Sequence, residues 1–204
     1  MMISATIRSR IGRFRRGEPF TSRELLALGS RASVDQTLSR LVRQGVISRV
    51  SRGIYVKPKK SAILGEMPVP AARIAEAVAR AEGTKLQVSG AEAANLLGVS
   101  MQTPVRKLYL TNGPSRKIRV GKQEIELRRA SPAAMAGAGT EAGLVISAFR
   151  YLGKELLTEE MLEKVGAKLP LRVRKQLSAY ATRVPGWMLS ALKQLAARQR
   201  HTRA

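Results

Sequence analysis

The chain has no cysteine, a single histidine and a single aspartate in 204 residues. Without cysteine it forms no disulfide, and it offers no thiolate to zinc and no thiol nucleophile. A Ser-His-Asp triad would have to use His201, which lies in a basic C-terminal tail. The acids other than Asp35 are scattered glutamates, unlike the clustered carboxylates of two-metal sites. We therefore expect no enzymatic activity, no cofactor and no metal.

Aromatic side chains and long apolar runs are also scarce. Aromatics make up 4% of the chain, which leaves few rings on which unpaired bases can stack. No run approaches the ~18 apolar residues of a membrane span, and arginines interrupt the N-terminal stretch where a signal peptide has its apolar centre. These absences predict a cytoplasmic protein, and they favour duplex over single-stranded nucleic acid.

Positive charge is what the chain has in excess. It carries 37 Lys and Arg against 14 Asp and Glu, and residues 1–60 alone hold 14 basic and 3 acidic residues. Such an imbalance attracts polyanions and makes their binding depend on salt. Because the charges are interleaved with periodic apolar residues, we expect basic folded domains rather than disordered tails.

Apolar periodicity and capping signals predict three helices in the first sixty residues. The first covers 2–16 and the second runs from a capping box at Thr21 and Glu24 to Leu28. The third begins between Ser30 and Ser33, where Ser33 opens a second possible capping box, and ends at Gly45. The predicted inner stripe of the third helix is Val34, Leu38, Leu41 and Val42.

A β-hairpin is predicted directly after these helices. Two β-branched runs, 46–50 and 54–56, are separated by a short turn in which Gly53 supplies a positive φ. Three helices followed by such a hairpin predict a winged helix-turn-helix. Phe14 and Tyr55 continue apolar patterns, so we expect them in the core.

The rest of the chain predicts two further segments and an α+β fold class. The segment that follows Lys57-Pro58-Lys59-Lys60 and extends to Pro70 has little periodicity and is predicted as a linker. Helices at 71–81 and 89–97, a strand at 85–88 and an antiparallel meander over 106–129 follow, and the pattern from 144 onwards is helical. The predicted units are a winged helix-turn-helix (1–60), a central small α+β domain with an antiparallel sheet (70–135) and a C-terminal helical subdomain (136–204).

The outward side of the third helix and the hairpin hold the candidate DNA contacts. A helix-turn-helix places its second helix in the major groove, where Arg pairs with guanine and Gln with adenine. The helix candidates are Arg31, Ser33, Gln36, Thr37, Arg40 and Arg43, with Ser33 meeting a phosphate through its cap position. The hairpin candidates are Arg49, Ser51, Arg52 and Lys57, with Arg52 in the minor groove. Lys59 and Lys60 are expected to add non-specific phosphate attraction.

Two stretches resemble the AbiEi-family antitoxins of bacterial type IV toxin–antitoxin systems. LGSRASVDQTLSRLVRQG (28–45) with ISRVSRGIYV (47–56) is similar to the family's N-terminal winged helix. GAEAANLLGVSMQTP (90–104), YLTNG (109–113) and RKIR (116–119) are similar to its second domain. The resemblance covers about residues 5–150, and the long basic C-terminal tail departs from the shorter family pattern.

The resemblance implies a transcriptional autorepressor that binds inverted repeats in its own promoter as a monomer or dimer. The second gene of that operon would encode a nucleotidyltransferase-type toxin, which the second domain counteracts. Composition and periodicity alone predict only a DNA-binding winged helix with an appended α+β domain.

Three alternatives remain open at this point. The middle and C-terminal segments could neutralise the toxin by direct binding as a protein-interaction module. The basic surface could bind structural RNA, since charge alone does not separate RNA from DNA. An enzyme that modifies the toxin is suggested only by four polar residues of the middle segment, Asn95, Gln102, Tyr109 and Arg116.

Overall fold

The structure is a computed structural model that describes residues 2–63, 65–102 and 106–197. Helices and small sheets make the fold mixed α+β, which confirms the predicted class. Contacts group the chain into two compact units: unit 1 is Met1–Thr84 with Lys117–Ile125, and unit 2 is Lys85–Arg116 with Glu126–Ala204. The predicted tail residue His201 lies outside the described residues.

Unit 1 begins with the helices and the hairpin that the sequence predicts. Its elements in chain order are α1 (Met2–Gly12), β1 (Pro19–Thr21), a 3₁₀ helix (Ser22–Leu28), α2 (Arg31–Arg43), β2 (Ser48–Ser51), β3 (Ile54–Val56), β4 (Lys60–Ser61), β5 (Gly65–Glu66) and α3 (Ala71–Glu82). The second predicted helix is thus a 3₁₀ helix. It begins where predicted, because the Glu24 carboxylate accepts a hydrogen bond from the Thr21 amide at 2.7 Å.

The apolar stripes of α1 and α2 form one core. Ile7 and Ile11 of α1 are at most 2% exposed, and Leu38 of α2 is fully buried. The remaining buried members of this core are Phe20, Leu25, Val34, Leu41, Ile47 and Tyr55. Val42 packs at its margin. Three of the four residues predicted for the inner stripe of α2 are therefore buried, and the fourth is partly buried.

α1 ends at Gly12, four residues before the predicted end. The amide of Phe14 donates to the carbonyl of Ile11 in a tight turn. This turn takes Phe14 off the helical line, and its ring stacks on Phe20 with the centroids 4.7 Å apart. Phe14 therefore packs against the margin of the core, and it does so from a turn rather than from a helix.

A three-stranded sheet with the order β1-β3-β2 closes the core. The sequence does not predict β1, which is three residues long and begins with proline. β1 pairs antiparallel with β3 and places Phe20 opposite Tyr55, whose rings lie 6.0 Å apart. β3 is the central strand, and all three of its residues are buried.

The segment predicted as a linker is folded, so that prediction is wrong. β4 and β5 pair antiparallel, with Lys60 opposite Glu66 and Ser61 opposite Gly65. The amide of Met67 donates a hydrogen bond to the carbonyl of Lys59 at 2.8 Å. The proline-rich composition predicted a linker because prolines interrupt helices and central strands. Short edge pairs such as β4 and β5 tolerate nearby prolines.

α3 confirms the helix predicted over 71–81 and belongs to unit 1. Its Arg80 donates from Nε to Glu24 Oε1 and from Nη2 to the carbonyl of Pro19, both at 3.0 Å. The sequence placed this helix in a domain starting at residue 70. The domain limits 1–60, 70–135 and 136–204 stay predictions.

The elements after residue 85 largely confirm those predicted. They are β6 (Leu86–Val88), α4 (Gly90–Leu96), β7 (Lys107–Thr111), β8 (Arg116–Val120), β9 (Gln123–Arg129), α5 (Glu141–Leu152), a 3₁₀ helix (Lys154–Leu156), α6 (Glu159–Lys168), α7 (Leu171–Leu177), a 3₁₀ helix (Ser178–Arg183) and α8 (Gly186–Ala197). The serine cap of α4 is confirmed, since the Ser89 hydroxyl accepts from the Glu92 amide at 3.4 Å.

The predicted meander of β7, β8 and β9 is wrong in its strand order. The observed order is β6-β7-β9-β8, so β9 is internal and β8 lies at the edge. Ile125 and Leu127 of β9 are at most 2% exposed. β8 instead carries exposed cationic side chains, and charged residues suit an edge because they discourage further strand pairing.

In unit 2, α4 through α8 surround a second core. Gly143 of α5 lies so close to the backbone of Gly137 that a Cβ at position 143 would collide with the Gly137 carbonyl oxygen. The apolar side of α8 packs inward, with Met188, Leu192 and Leu195 at most 1% exposed. Across the described ranges, every helix is too short or too polar to cross a bilayer.

The buried stripe of α2 generates the first testable prediction. We expect Leu38→Ala to lower the free energy of unfolding by about 2–5 kcal/mol, because it removes buried methyl groups and leaves a cavity. Chemical denaturation followed by circular dichroism measures this loss. Leu26→Ala is the matched control, since Leu26 is 37% exposed and surface changes usually stay within about 0.5 kcal/mol. Equal losses in the two variants would contradict the core assignment.

Candidate nucleic-acid interface

α2 exposes a cationic stripe opposite its buried face. Ser30 caps the helix, because its hydroxyl accepts a hydrogen bond from the Ser33 amide at 3.3 Å. At about 100° per residue, Gln36, Arg40 and Arg43 recur at i, i+4 and i+7 and share one face. All three are exposed. The structure therefore brings three of the predicted contact residues together on one side of the helix.

Two other predicted positions on α2 are corrected. Thr37 is 6% exposed and its hydroxyl donates to the Ser33 carbonyl at 2.8 Å. The prediction that Thr37 faces outward is therefore wrong, and a threonine commonly satisfies its hydroxyl through the i−4 carbonyl in this way. Ser33 is not the cap residue either. Its hydroxyl accepts from that of Ser30 at 3.0 Å, one turn inside the helix.

Arg31 and Asp35 form an ion pair on the flank of this exposed face. Arg31 Nε donates to Asp35 Oδ2 at 2.7 Å, and the two side chains are 64% and 47% exposed. The hydrogen bond to Asp35, and then its negative charge, raise the pKa of Arg31 above its ordinary value. Arg31 lies nine residues before Arg40, about half a turn around the helix axis. The two arginines therefore border opposite edges of the exposed face.

The β2–β3 hairpin presents two arginines at a fixed position. Gly53 has a φ of +74°, as the turn requires, and its carbonyl accepts a hydrogen bond from the Ser22 amide at 3.0 Å. Arg49 and Arg52 are exposed, whereas Ser51 is partly buried. The pairing shifts register between Arg49 and Ser51. The tip is thus tied to the 3₁₀ helix rather than free to swing.

The lysines after the hairpin divide into structural and exposed ones. Lys57 Nζ donates to the carbonyl of Gly12 at 2.7 Å, at the last residue of α1. A cation in this place satisfies a helix-end carbonyl and suits the helix dipole. Lys57 therefore has a structural role that the sequence did not reveal. Lys59 and Lys60 are exposed.

The arginines of α1 and of the turn after it are not among the predicted DNA contacts. Arg8 Nη2 donates to Gln44 Oε1 at 3.0 Å, which links α1 to the C-terminal end of α2. Arg10 lies over the Phe14 ring at 5.5 Å from its centroid. Arg10 and Arg13 also line an open depression of about 320 Å³ beside Glu24. The signal that could have found them is the basic side of the first amphipathic helix.

Four polar residues of the middle segment suggested an enzyme, and at least one of them, Asn95, has a structural role. Asn95 Nδ2 donates to the carbonyls of Ser100 and Gln102, at 3.3 and 3.4 Å, and so shapes the loop after α4. Tyr109 is 8% exposed, and Arg116 begins the edge strand β8. Across 2–63, 65–102 and 106–197, no group of three or more His, Cys, Asp or Glu is placed to hold a metal ion.

Comparison with known protein families identifies the family of this chain. No curated protein matches the chain. A family model described as "Family of unknown function (DUF6088)" matches residues 6–177. This match spans most of α1, all of α2 and the β2–β3 hairpin, and most of unit 2. The chain therefore belongs to the DUF6088 family.

Proposed function

We propose that the N-terminal part of unit 1 is a winged helix-turn-helix that binds double-stranded DNA. In this proposal α2 enters the major groove and the β2–β3 hairpin is the wing. One observation carries it: the exposed faces of α2 and of the hairpin are cationic and bear side chains able to contact bases. These side chains are Gln36, Arg40 and Arg43 on α2 and Arg49 and Arg52 on the hairpin.

The chemistry of these side chains suggests that some contact bases and others contact phosphates. Arg40 suits bidentate pairing with guanine and Gln36 with adenine, and each such contact discriminates against a wrong base by about 1–3 kcal/mol. Arg43, one turn nearer the C-terminus, suits a phosphate, which positions the protein without specifying sequence. Arg52 at the hairpin tip suits the minor groove. Lys59 and Lys60 suit phosphates beside it.

We further propose that the chain is the antitoxin of a bacterial toxin–antitoxin system that represses its own operon. The resemblance of 28–56 and 90–119 to AbiEi-family antitoxins supports this role. The partners would be inverted repeats in its own promoter and a nucleotidyltransferase-type toxin, and the protein would act in the cytoplasm without enzymatic activity of its own.

Base contact by Arg40 is tested on a duplex from the region upstream of the chain's own gene. We expect Arg40→Ala to weaken binding to this duplex by about 1–3 kcal/mol and to change binding to a random duplex much less. Fluorescence anisotropy titrations at fixed salt measure both affinities. Equal weakening on the two duplexes would show that Arg40 contacts only the backbone. Tighter binding to an RNA duplex of the same sequence would favour the RNA alternative.

Phosphate contact by Lys59 has a different signature. We expect Lys59→Ala to weaken binding to specific and random duplexes alike, and to reduce the slope of log affinity against log salt by about 1, because one fewer counterion is released. Titrations at several salt concentrations give the slope. Lys193→Ala is the matched control, since Lys193 is an exposed lysine of α8, far from the hairpin in sequence. Equal changes in slope would argue against a localised interface.

The antitoxin role is tested with the gene adjacent to that of this chain. We expect expression of the adjacent gene alone to stop bacterial growth, and co-expression of this chain to restore it. An early stop codon in this chain is the control. Recovery of a stable complex of the two proteins in roughly 0.5 M salt, where surface charges are screened, would favour the protein-interaction alternative. Harmless expression of the adjacent gene would contradict the antitoxin proposal.

A further inference from the structure

We propose that Asp35 is a specificity-determining positioning residue, which aims the guanidinium of Arg31 at a guanine base. The inference rests on the proposed binding of duplex DNA by α2 and deepens it, since it assigns a role to the one acidic residue of that helix. Asp35 itself does not contact a base in this proposal. It acts through Arg31.

The geometry of the pair leaves the base-pairing end of Arg31 available. The hydrogen bond of 2.7 Å joins Asp35 Oδ2 to Nε, the nitrogen nearest the side-chain stem. Guanine is recognised at O6 and N7 by two donors of one guanidinium, and the two terminal nitrogens form such a pair. Arg31 is 64% exposed and lies in the first turn of α2, the part of a recognition helix that meets base edges.

A carboxylate at this place is otherwise a disadvantage for a DNA-binding surface. Asp35 is the sole aspartate in a chain with 37 Lys and Arg, and it would repel nearby phosphates. The other acids of this region have structural partners: Glu24 accepts from the Thr21 amide and pairs with Arg80. Among the residues that the structure describes, the partner of Asp35 is Arg31.

Stability of the helix does not account for the pair. Exposed i, i+4 ion pairs contribute little to folding, because water screens them and two side chains lose freedom. α2 also has its own start signal in the Ser30 cap. What the pair does change is the freedom of Arg31. A long side chain held in place before binding loses less rotamer entropy when it meets its base.

The experiment is selection of bound duplexes from a random-sequence DNA library with the full chain, followed by sequencing. The variants are Arg31→Ala, Asp35→Ala and Asp35→Asn. Glu76→Ala is the matched control, because Glu76 forms an exposed helical ion pair with Arg73 on α3 at 3.1 Å. Glu76→Ala removes one negative charge from unit 1, as Asp35→Ala does, and leaves the sequence of α2 unchanged.

We expect the unmodified chain to select a guanine whose preference falls about tenfold in Arg31→Ala. Asp35→Ala should relax the same position by about twofold, because an exposed i, i+4 pair restrains Arg31 only part of the time, and it should leave the other positions unchanged. Asp35→Asn should keep most of the preference, because its amide oxygen still accepts from Nε. Glu76→Ala should leave the selected motif unchanged.

Several outcomes would overturn the inference. One is that Asp35→Ala keeps the guanine preference that Arg31→Ala loses, and another is that Asp35→Asn loses as much as Asp35→Ala. If Arg31→Ala leaves a clear motif intact, the inference fails while the proposed function stands. If the unmodified chain selects no motif at all, sequence-specific binding fails, and the inference falls with it.

Discussion

The burial of one stripe of α2 is the constraint on which the candidate interface depends. Val34, Leu38 and Leu41 are each at most 1% exposed. Turning the helix by one residue, about 100°, would bring these side chains to water at about 1.5–3 kcal/mol each and bury arginines in their place. The helix therefore has one stable orientation. The outward direction of Gln36 and Arg40 follows from packing on the opposite side.

The parts of the fold that the sequence predicts are those with a repeating signal. α1, α2, α3 and the helices of unit 2 have apolar stripes or serine and threonine caps, and the β2–β3 hairpin has its glycine turn. β1 has three residues and no period, so its pairing with β3 depends on Phe20 meeting Tyr55 across the core. The order of β8 and β9 is likewise set by which strand the core can bury. Strand pairing between distant parts of the chain cannot be predicted from a local sequence pattern.

The candidate site likewise contains some residues whose exposure the sequence predicts and others whose contacts it does not. Helical period predicts that Gln36, Arg40 and Arg43 are exposed, and the hairpin turn predicts the exposure of Arg52. Thr37 lies at the border of the buried stripe, where its hydroxyl finds a backbone carbonyl, so period alone could not assign it. The pairing of Lys57 with Gly12 joins residues 45 apart. Only the folded chain brings that cation to a helix end.

Net charge and available charge are consequently different quantities in this protein. Arg80 and Lys57 bond to backbone carbonyls, and Arg174 is 2% exposed with its Nε on the carbonyl of Leu169. These cations still add to the field that attracts any polyanion, since a charge acts at a distance whether or not it is engaged. Arg174, however, is too deeply buried to touch a base. Under the proposed function, general attraction to nucleic acid therefore comes from the net charge of the chain, whereas discrimination between DNA sequences would depend on the few exposed side chains that α2 and the hairpin hold in place.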